Sequence, residues 1–224
     1  MIPWVQLDTA SVPDDGGQLR LMQRGAEFSI MAGATELMNS RLSGSEEALA
    51  TLACARVDGR ASPAVLIGGL GMGFTLRAAL AALGPEAAVV VAELVPAVVS
   101  WARGPLSTLY GSSLEDPRTA IVEGDVATLI AATRSGYDAI LLDVDNGPAG
   151  LTRAANDGLY GVQGLQASYV ALRPGGVLAV WSSAPEAGFT RRLRAIGFDV
   201  EEVGVRARGK RGARHVIWLA TAKG

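Results

Sequence analysis

The segment Val65-Leu-Ile-Gly-Gly-Leu-Gly-Met-Gly73 constrains this chain more than any other. An apolar run ends in a glycine cluster and passes directly into Phe74-Thr-Leu-Arg-Ala-Ala-Leu-Ala-Ala-Leu83, which has helical spacing. Glycines allow a sharp backbone turn and close approach to a ligand, and the helix that follows offers its unpaired N–H groups. Further on, Val89-Val-Val-Ala-Glu93 reads as a second strand ending in an acid, a group suited to accepting from both hydroxyls of a ribose. The pattern is that of a nucleoside-binding half-sheet. Its bland counterpart is a strand-to-helix turn packed tightly in a core.

Spacing narrows the nucleoside. A dinucleotide fingerprint needs G-x-G-x-x-G, and counting from Gly69 and Gly71 the third position is Phe74. The chain instead has G-x-G-x-G (Gly69, Gly71, Gly73) preceded by Gly68, the form seen in S-adenosylmethionine enzymes. Composition fits a compact α/β fold of 224 residues: 49% of residues are apolar, 28 are glycine and few are aromatic. Twenty basic against 22 acidic residues argue against a general nucleic-acid binder. Cys54 stands alone on an apolar helical face, so no zinc cluster or internal disulfide is expected. The first residues lack the basic and apolar regions of a secretory signal, and Glu93 and Pro96 interrupt the apolar stretch 87–102, so a cytoplasmic, non-membrane protein is expected.

Alternation sets the architecture. Trp4–Leu7, Gln18–Arg24 and Phe28–Met31, with a turn at Pro13-Asp-Asp-Gly-Gly17, read as a small N-terminal β appendage. A helix is expected over 45–57, with Ser45 as its cap and Glu46 and Glu47 in the first turn, where carboxylates favour the dipole. These form a first unit, 1–60. From 61 to 224 strand candidates at 64–67, 89–92, 119–122, 138–142 and 177–181 alternate with helices at 75–83, 95–103, 126–133, 159–172 and 186–196. Near-continuous apolar strands separated by helices mean a parallel sheet covered on both faces. The last runs, 198–206 and 214–220, are joined by a link too short for a parallel crossover. The expected fold is therefore a Rossmann-like methyltransferase fold: a mostly parallel seven-stranded sheet with an antiparallel C-terminal hairpin strand.

Five segments in order resemble the spermidine synthase family and its methyltransferase-fold relatives: the glycine loop, Ala92-Glu-Leu-Val-Pro-Ala-Val-Val99, Asp116-Pro-Arg-Thr-Ala-Ile-Val-Glu-Gly-Asp125, Tyr137-Asp-Ala-Ile-Leu-Leu-Asp-Val-Asp-Asn-Gly-Pro148 and Leu172-Arg-Pro-Gly-Gly-Val-Leu178. The resemblance covers 63–181 well and the N-terminal part loosely. It implies that Gly68, Gly69, Gly71 and Gly73 cradle the cofactor, that Glu93 holds the ribose hydroxyls and that Asp125 accepts from the adenine amino group. Asp143 would face the reacting centre. Asp125 also suits a helix N-cap ahead of Val126, and Asp143 a turn position. Transfer to an amine requires a base and an orienter, roles that fall to Asp143 and Asp145, with Asn146 hydrogen-bonding the acceptor. The resemblance also implies a homodimer.

The chain departs from the family where substrate is chosen. The family's glycine loop carries an aspartate for the aminopropyl amine of decarboxylated S-adenosylmethionine; this chain has Gly71 there. Without that carboxylate the expected activity is methyl transfer from S-adenosylmethionine to a small-molecule acceptor. The alternatives are a polyamine aminopropyltransferase using decarboxylated S-adenosylmethionine, and a non-catalytic nucleoside-binding scaffold. Arg41 is read either as a partner for a carboxylate on cofactor or substrate or as a surface residue beside a helix cap. The loop 146–158 reads as a lid, and Arg206, Arg208, Lys210, Arg211 and Arg214 as a solvated basic turn or an anion-facing one. His215, the single histidine, begins an apolar strand and is expected to pack there.

Overall fold

The computed structural model describes residues 2–13, 17–144, 148, 158–208 and 211–223. Four short strands come first: β1 (Val5–Ser11), β2 (Gln18–Arg24), β3 (Glu27–Ala32) and β4 (Thr35–Asn39), each antiparallel to the next. The fourth strand was not among those expected, because Thr-Glu-Leu-Met-Asn lacks a clean apolar alternation. Pairing with β3 (Ser29 opposite Asn39) supplies what the local pattern does not.

Helix α1 (Gly44–Arg56) then leads to the larger sheet: β5 (Ala64–Gly68), α2 (Phe74–Ala82), β6 (Ala88–Glu93), α3 (Pro96–Arg103), a single turn α4 (Ser107–Tyr110), β7 (Thr119–Glu123), α5 (Val126–Ala131) and β8 (Tyr137–Leu142). Helix α6 (Val162–Ala171), β9 (Leu172–Ser182), α7 (Ala187–Ile196) and the hairpin of β10 (Asp199–Arg208) and β11 (Arg211–Thr221) complete it. The strand order is β10-β11-β9-β8-β5-β6-β7, parallel throughout the β9-to-β7 half and antiparallel on both sides of β11. This is the expected mostly parallel sheet with its antiparallel hairpin strand.

Alternate residues of each central strand face opposite sides, and both sides are covered. Val65, Ile67, Val89, Val91, Ala139 and Leu141 meet Leu49, Leu76 and Val98 of α1, α2 and α3 on one face. Leu66, Ile140, Leu142 and Leu178 meet Val126, Leu165 and Phe189 of α5, α6 and α7 on the other. Leu19, Leu21, Phe28 and Ile30 of the N-terminal sheet join the first of these cores, so the two sheets share apolar packing. The expected capping role of Ser45 is not what forms. Ser43 is the N-cap, and Ser45 is instead fully buried inside the first turn.

Register fixes where the carboxyl ends of the strands lie. Gly68 is level with Ala92 on one side and Leu142 on the other, and Glu93 is level with Glu123. The loops after β5, β6, β7 and β8 therefore open on one edge. The chain reverses direction across the sheet at β5, running outward to β6 and β7 and then returning to β8. That reversal leaves a crevice between β5 and β8, the position where open α/β sheets place ligands.

Candidate functional site

The glycine loop is built by close approach. The Gly69 N–H donates to the Ala92 carbonyl at 2.9 Å, and the Asp143 N–H donates to the Gly68 carbonyl at 3.0 Å. Gly69 has φ +92°, and a Cβ on it would lie 2.5 Å from the Asp143 carbonyl oxygen. Only glycine lets β5 and β8 come this close. Gly73 caps α2 at φ +78°, and its missing Cβ makes room for the ring of Tyr110, whose hydroxyl donates to the Gly71 carbonyl at 2.7 Å. Tyr110 thus clamps the loop from α4, although no sequence motif marked it.

Glu93 leaves the end of β6 almost fully buried. One carboxylate oxygen accepts from the Leu70 N–H at 2.9 Å and the other from the Val95 N–H at 2.8 Å. Burial pushes its pKa up against these backbone hydrogen bonds, which pull it down. Asp125 does cap α5, accepting the Ala127 N–H at 2.9 Å through one oxygen and leaving the other unengaged by that cap.

Gly69, Gly71, Glu93, Asp125 and Asp143 all line one cavity of about 200 Å³, which the N-terminal sheet roofs with Leu19, Ile30 and Met38. Four loops and a second sheet therefore converge on a single concave space, apolar along most of its wall, with acids at three strand ends. Gly68 and Gly73 stand at either end of the loop, and a Cβ on Gly68 would lie 3.1 Å from Val126 and 3.3 Å from Leu142.

Asp143 stands where this cavity meets a smaller one of about 70 Å³. Its Oδ2 accepts from the Thr75 hydroxyl at 2.6 Å. Burial, then the nearby negative charge of Glu46, raise its pKa to about 7, with the Thr75 hydrogen bond opposing them. A carboxylate so poised exchanges protons near neutrality. Glu46 also lines the smaller cavity, although in the sequence it reads only as a dipole-favouring acid in a helix start. Its signal was absent because it lies on a different element, 97 positions from Asp143.

The other expected site residues divide. Asp145 and Asn146 lie outside the described residues, as does most of the loop 146–158. Arg41 faces Glu36 at 3.2 Å and Glu27 at 3.4 Å and lies near the Trp4 ring, on the N-terminal sheet; it does not line either cavity. His215 packs as expected, edge-to-face on Trp181, but also bonds the Ser45 hydroxyl at 2.9 Å.

No protein-family model matches the chain. Over 124 residues, 54% of the chain, it is 36% identical to polyamine aminopropyltransferase 1 of Streptomyces coelicolor, of which the match covers 22%. A polyamine aminopropyltransferase of Mycobacterium tuberculosis is 34% identical over 125 residues, 54% of this chain and 23% of that protein. The matched stretch is thus under a quarter of the length of these curated relatives. The spermidine synthase of Thermotoga maritima superposes with a TM-score of 0.78 and 19% identity, covering 97% of this chain and 72% of that one. Over the matched stretch the chain resembles the polyamine aminopropyltransferases, and its fold is that of the spermidine synthase. The expectation of a methyltransferase is overturned by these relatives, which carry polyamine aminopropyltransferase names. The glycine loop itself carries no carboxylate, and Glu46 and Asp143 line the small cavity beside Gly71.

Proposed function

We propose that the chain is a transferase that moves the aminopropyl group of decarboxylated S-adenosylmethionine to an amine acceptor. The observation that carries this reading is Asp143, a carboxylate poised near neutrality at the junction of a nucleoside-sized cavity and a smaller acidic one. The relatives' names and the fold of the neighbouring spermidine synthase support it.

In this reading Glu93 accepts from the ribose hydroxyls at the end of β6. Asp125 accepts from the adenine amino group with the oxygen not used in capping α5. Gly69, Gly71 and Gly73, with Gly68 before them, let the loop backbone lie against the nucleoside. The bound sulfonium makes its neighbouring propyl carbon electrophilic. Asp143 accepts the proton that the acceptor amine must lose before its lone pair attacks that carbon; the carbon–sulfur bond breaks and 5′-methylthioadenosine leaves. Thr75 orients the Asp143 carboxylate through the hydrogen bond to Oδ2. Asp145 and Asn146 follow Asp143 closely and are assigned to the acceptor side. A homodimer and a cytoplasmic location belong to the same reading; among the described residues no helix is long and apolar enough to cross a membrane.

Incubating the chain with decarboxylated S-adenosylmethionine and a panel of di- and polyamines tests the proposal. Release of 5′-methylthioadenosine in step with an aminopropylated amine is expected. Methylation of the same amines from S-adenosylmethionine, with no methylthioadenosine formed, would overturn it. Binding of both nucleosides without turnover of either would favour a scaffold.

A further inference from the structure

The donor in this reading ends in a primary ammonium, and no residue of the glycine loop can meet that charge. Gly71 has φ +52°, and a Cβ on it would lie 3.0 Å from the Met38 sulfur and 3.2 Å from its methyl carbon. The space above the loop where a side chain would rise is therefore already filled from β4. Beyond Met38 the smaller cavity continues, with Glu46 and Asp143 as its acids and Phe74 and Trp181 as aromatic walls. Met38, Gly71 and Asp143 line both spaces, so a short arm leaving the nucleoside pocket enters the small cavity directly.

Glu46 is held there by a directional line of hydrogen bonds. The Ser45 hydroxyl donates to Glu46 Oε2 at 2.6 Å, and its one proton is then committed. His215 Nδ1, 2.9 Å from the same hydroxyl oxygen, must therefore be the donor in that contact. The line runs from β11 to α1 and ends on a carboxylate oxygen that only accepts. Across the cavity the charge of Glu46 is felt by Asp143. Two carboxylates that repel one another across a partly apolar space form an arrangement relieved by a cation between them. Trp181 in its wall has a buried Nε1 with no hydrogen-bond partner among the described residues.

We propose that Glu46 selects the donor: its carboxylate takes the primary ammonium of the three-carbon arm and rejects an arm that also carries a carboxylate. The proposal rests on the aminopropyl-transfer reading. S-Adenosylmethionine differs from its decarboxylated form only by that added negative group, which would lie against two like charges in a small cavity. Discrimination thus arises from repulsion of the wrong donor as well as attraction of the right one.

Calorimetric titration of the wild type and Glu46→Gln with three probes tests this: decarboxylated S-adenosylmethionine, S-adenosylmethionine and 5′-methylthioadenosine, which has no charged arm. The wild type is expected to prefer the decarboxylated form by roughly 100-fold, and Glu46→Gln to lower that ratio about tenfold or more. Affinity for methylthioadenosine stays within about twofold in the variant, because the nucleoside pocket is untouched. An unchanged ratio with methylthioadenosine binding intact overturns the proposal. Should Glu46→Gln lose methylthioadenosine as well, Glu46→Met, neutral and of similar length, carries the same test with the same two outcomes. A wild type that binds methylthioadenosine but shows no preference for the decarboxylated form sinks the aminopropyl reading itself. A wild-type preference that survives removal of the Glu46 charge sinks only the role given to Glu46.

Discussion

Asp143 shows how a single side chain is made useful at a cost to the fold. Its ordinary pKa of 3.8 is raised to about 7, first by burial and then by Glu46, against the hydrogen bond from Thr75. The folded chain therefore holds a proton on Asp143 between pH 3.8 and about 7 that the unfolded chain has released. Stability from this group falls as pH rises through that window, and above it the folded state carries an unfavourable buried charge. Replacing the charge by a neutral amide removes the penalty. Asp143→Asn is expected to gain about 1–2 kcal/mol at pH 8, or roughly 3–6 °C in Tm, and to gain little at pH 5. The same change lowers turnover by about 10²- to 10⁴-fold, because no base remains for the acceptor's proton. In the wild type, kcat/KM should fall as pH drops below about 7, with Glu46 and the Thr75 hydroxyl facing the titrating group from α1 and α2. A variant less stable at pH 8, or a flat wild-type profile from pH 6 to 8, contradicts the assignment.

At the scale of elements, the loop between β5 and α2 works because glycine sits wherever a neighbour comes close. Gly73 is the clearest case: a Cβ there would lie 2.4 and 2.5 Å from ring carbons of Tyr110, at φ +78°. Tyr110 cannot retreat freely, being fully buried and bonded to the Gly71 carbonyl. Gly73→Ala should therefore cost about 2–4 kcal/mol, read as a lowered urea midpoint, and weaken methylthioadenosine binding with it. Gly84→Ala is the control, since nothing lies within 4 Å of its added Cβ, and it should change the midpoint by less than about 0.5 kcal/mol. The run of glycines was legible in the sequence because local chemistry dictates it. Tyr110 was not, since its 37-residue separation from Gly73 leaves no pattern to read.

For the molecule as a whole, the N-terminal sheet is part of the site and part of the core. Leu19, Leu21, Phe28 and Ile30 are buried in one core with residues of the larger sheet and its helices, and Leu19, Ile30 and Met38 roof the larger cavity. Deleting residues 1–40 should expose this apolar surface, raising the fluorescence of a hydrophobic dye several-fold and reducing methylthioadenosine affinity by more than about tenfold. A truncated chain that stays dark and binds normally would show the roof to be dispensable. Strand periodicity, the glycine spacing and acids at strand ends determined the sheet, its antiparallel hairpin and the acid-lined edge at the carboxyl ends of its strands, because each depends on residues close together in the chain. Asp143 was found the same way, as an acid ending an apolar strand. Only the tertiary structure brought Glu46 of α1 into the small cavity that Asp143 lines, with Ser45 and, from β11, His215 joined to it by hydrogen bonds. Charge at a site is summed over space, and sequence separation conceals it.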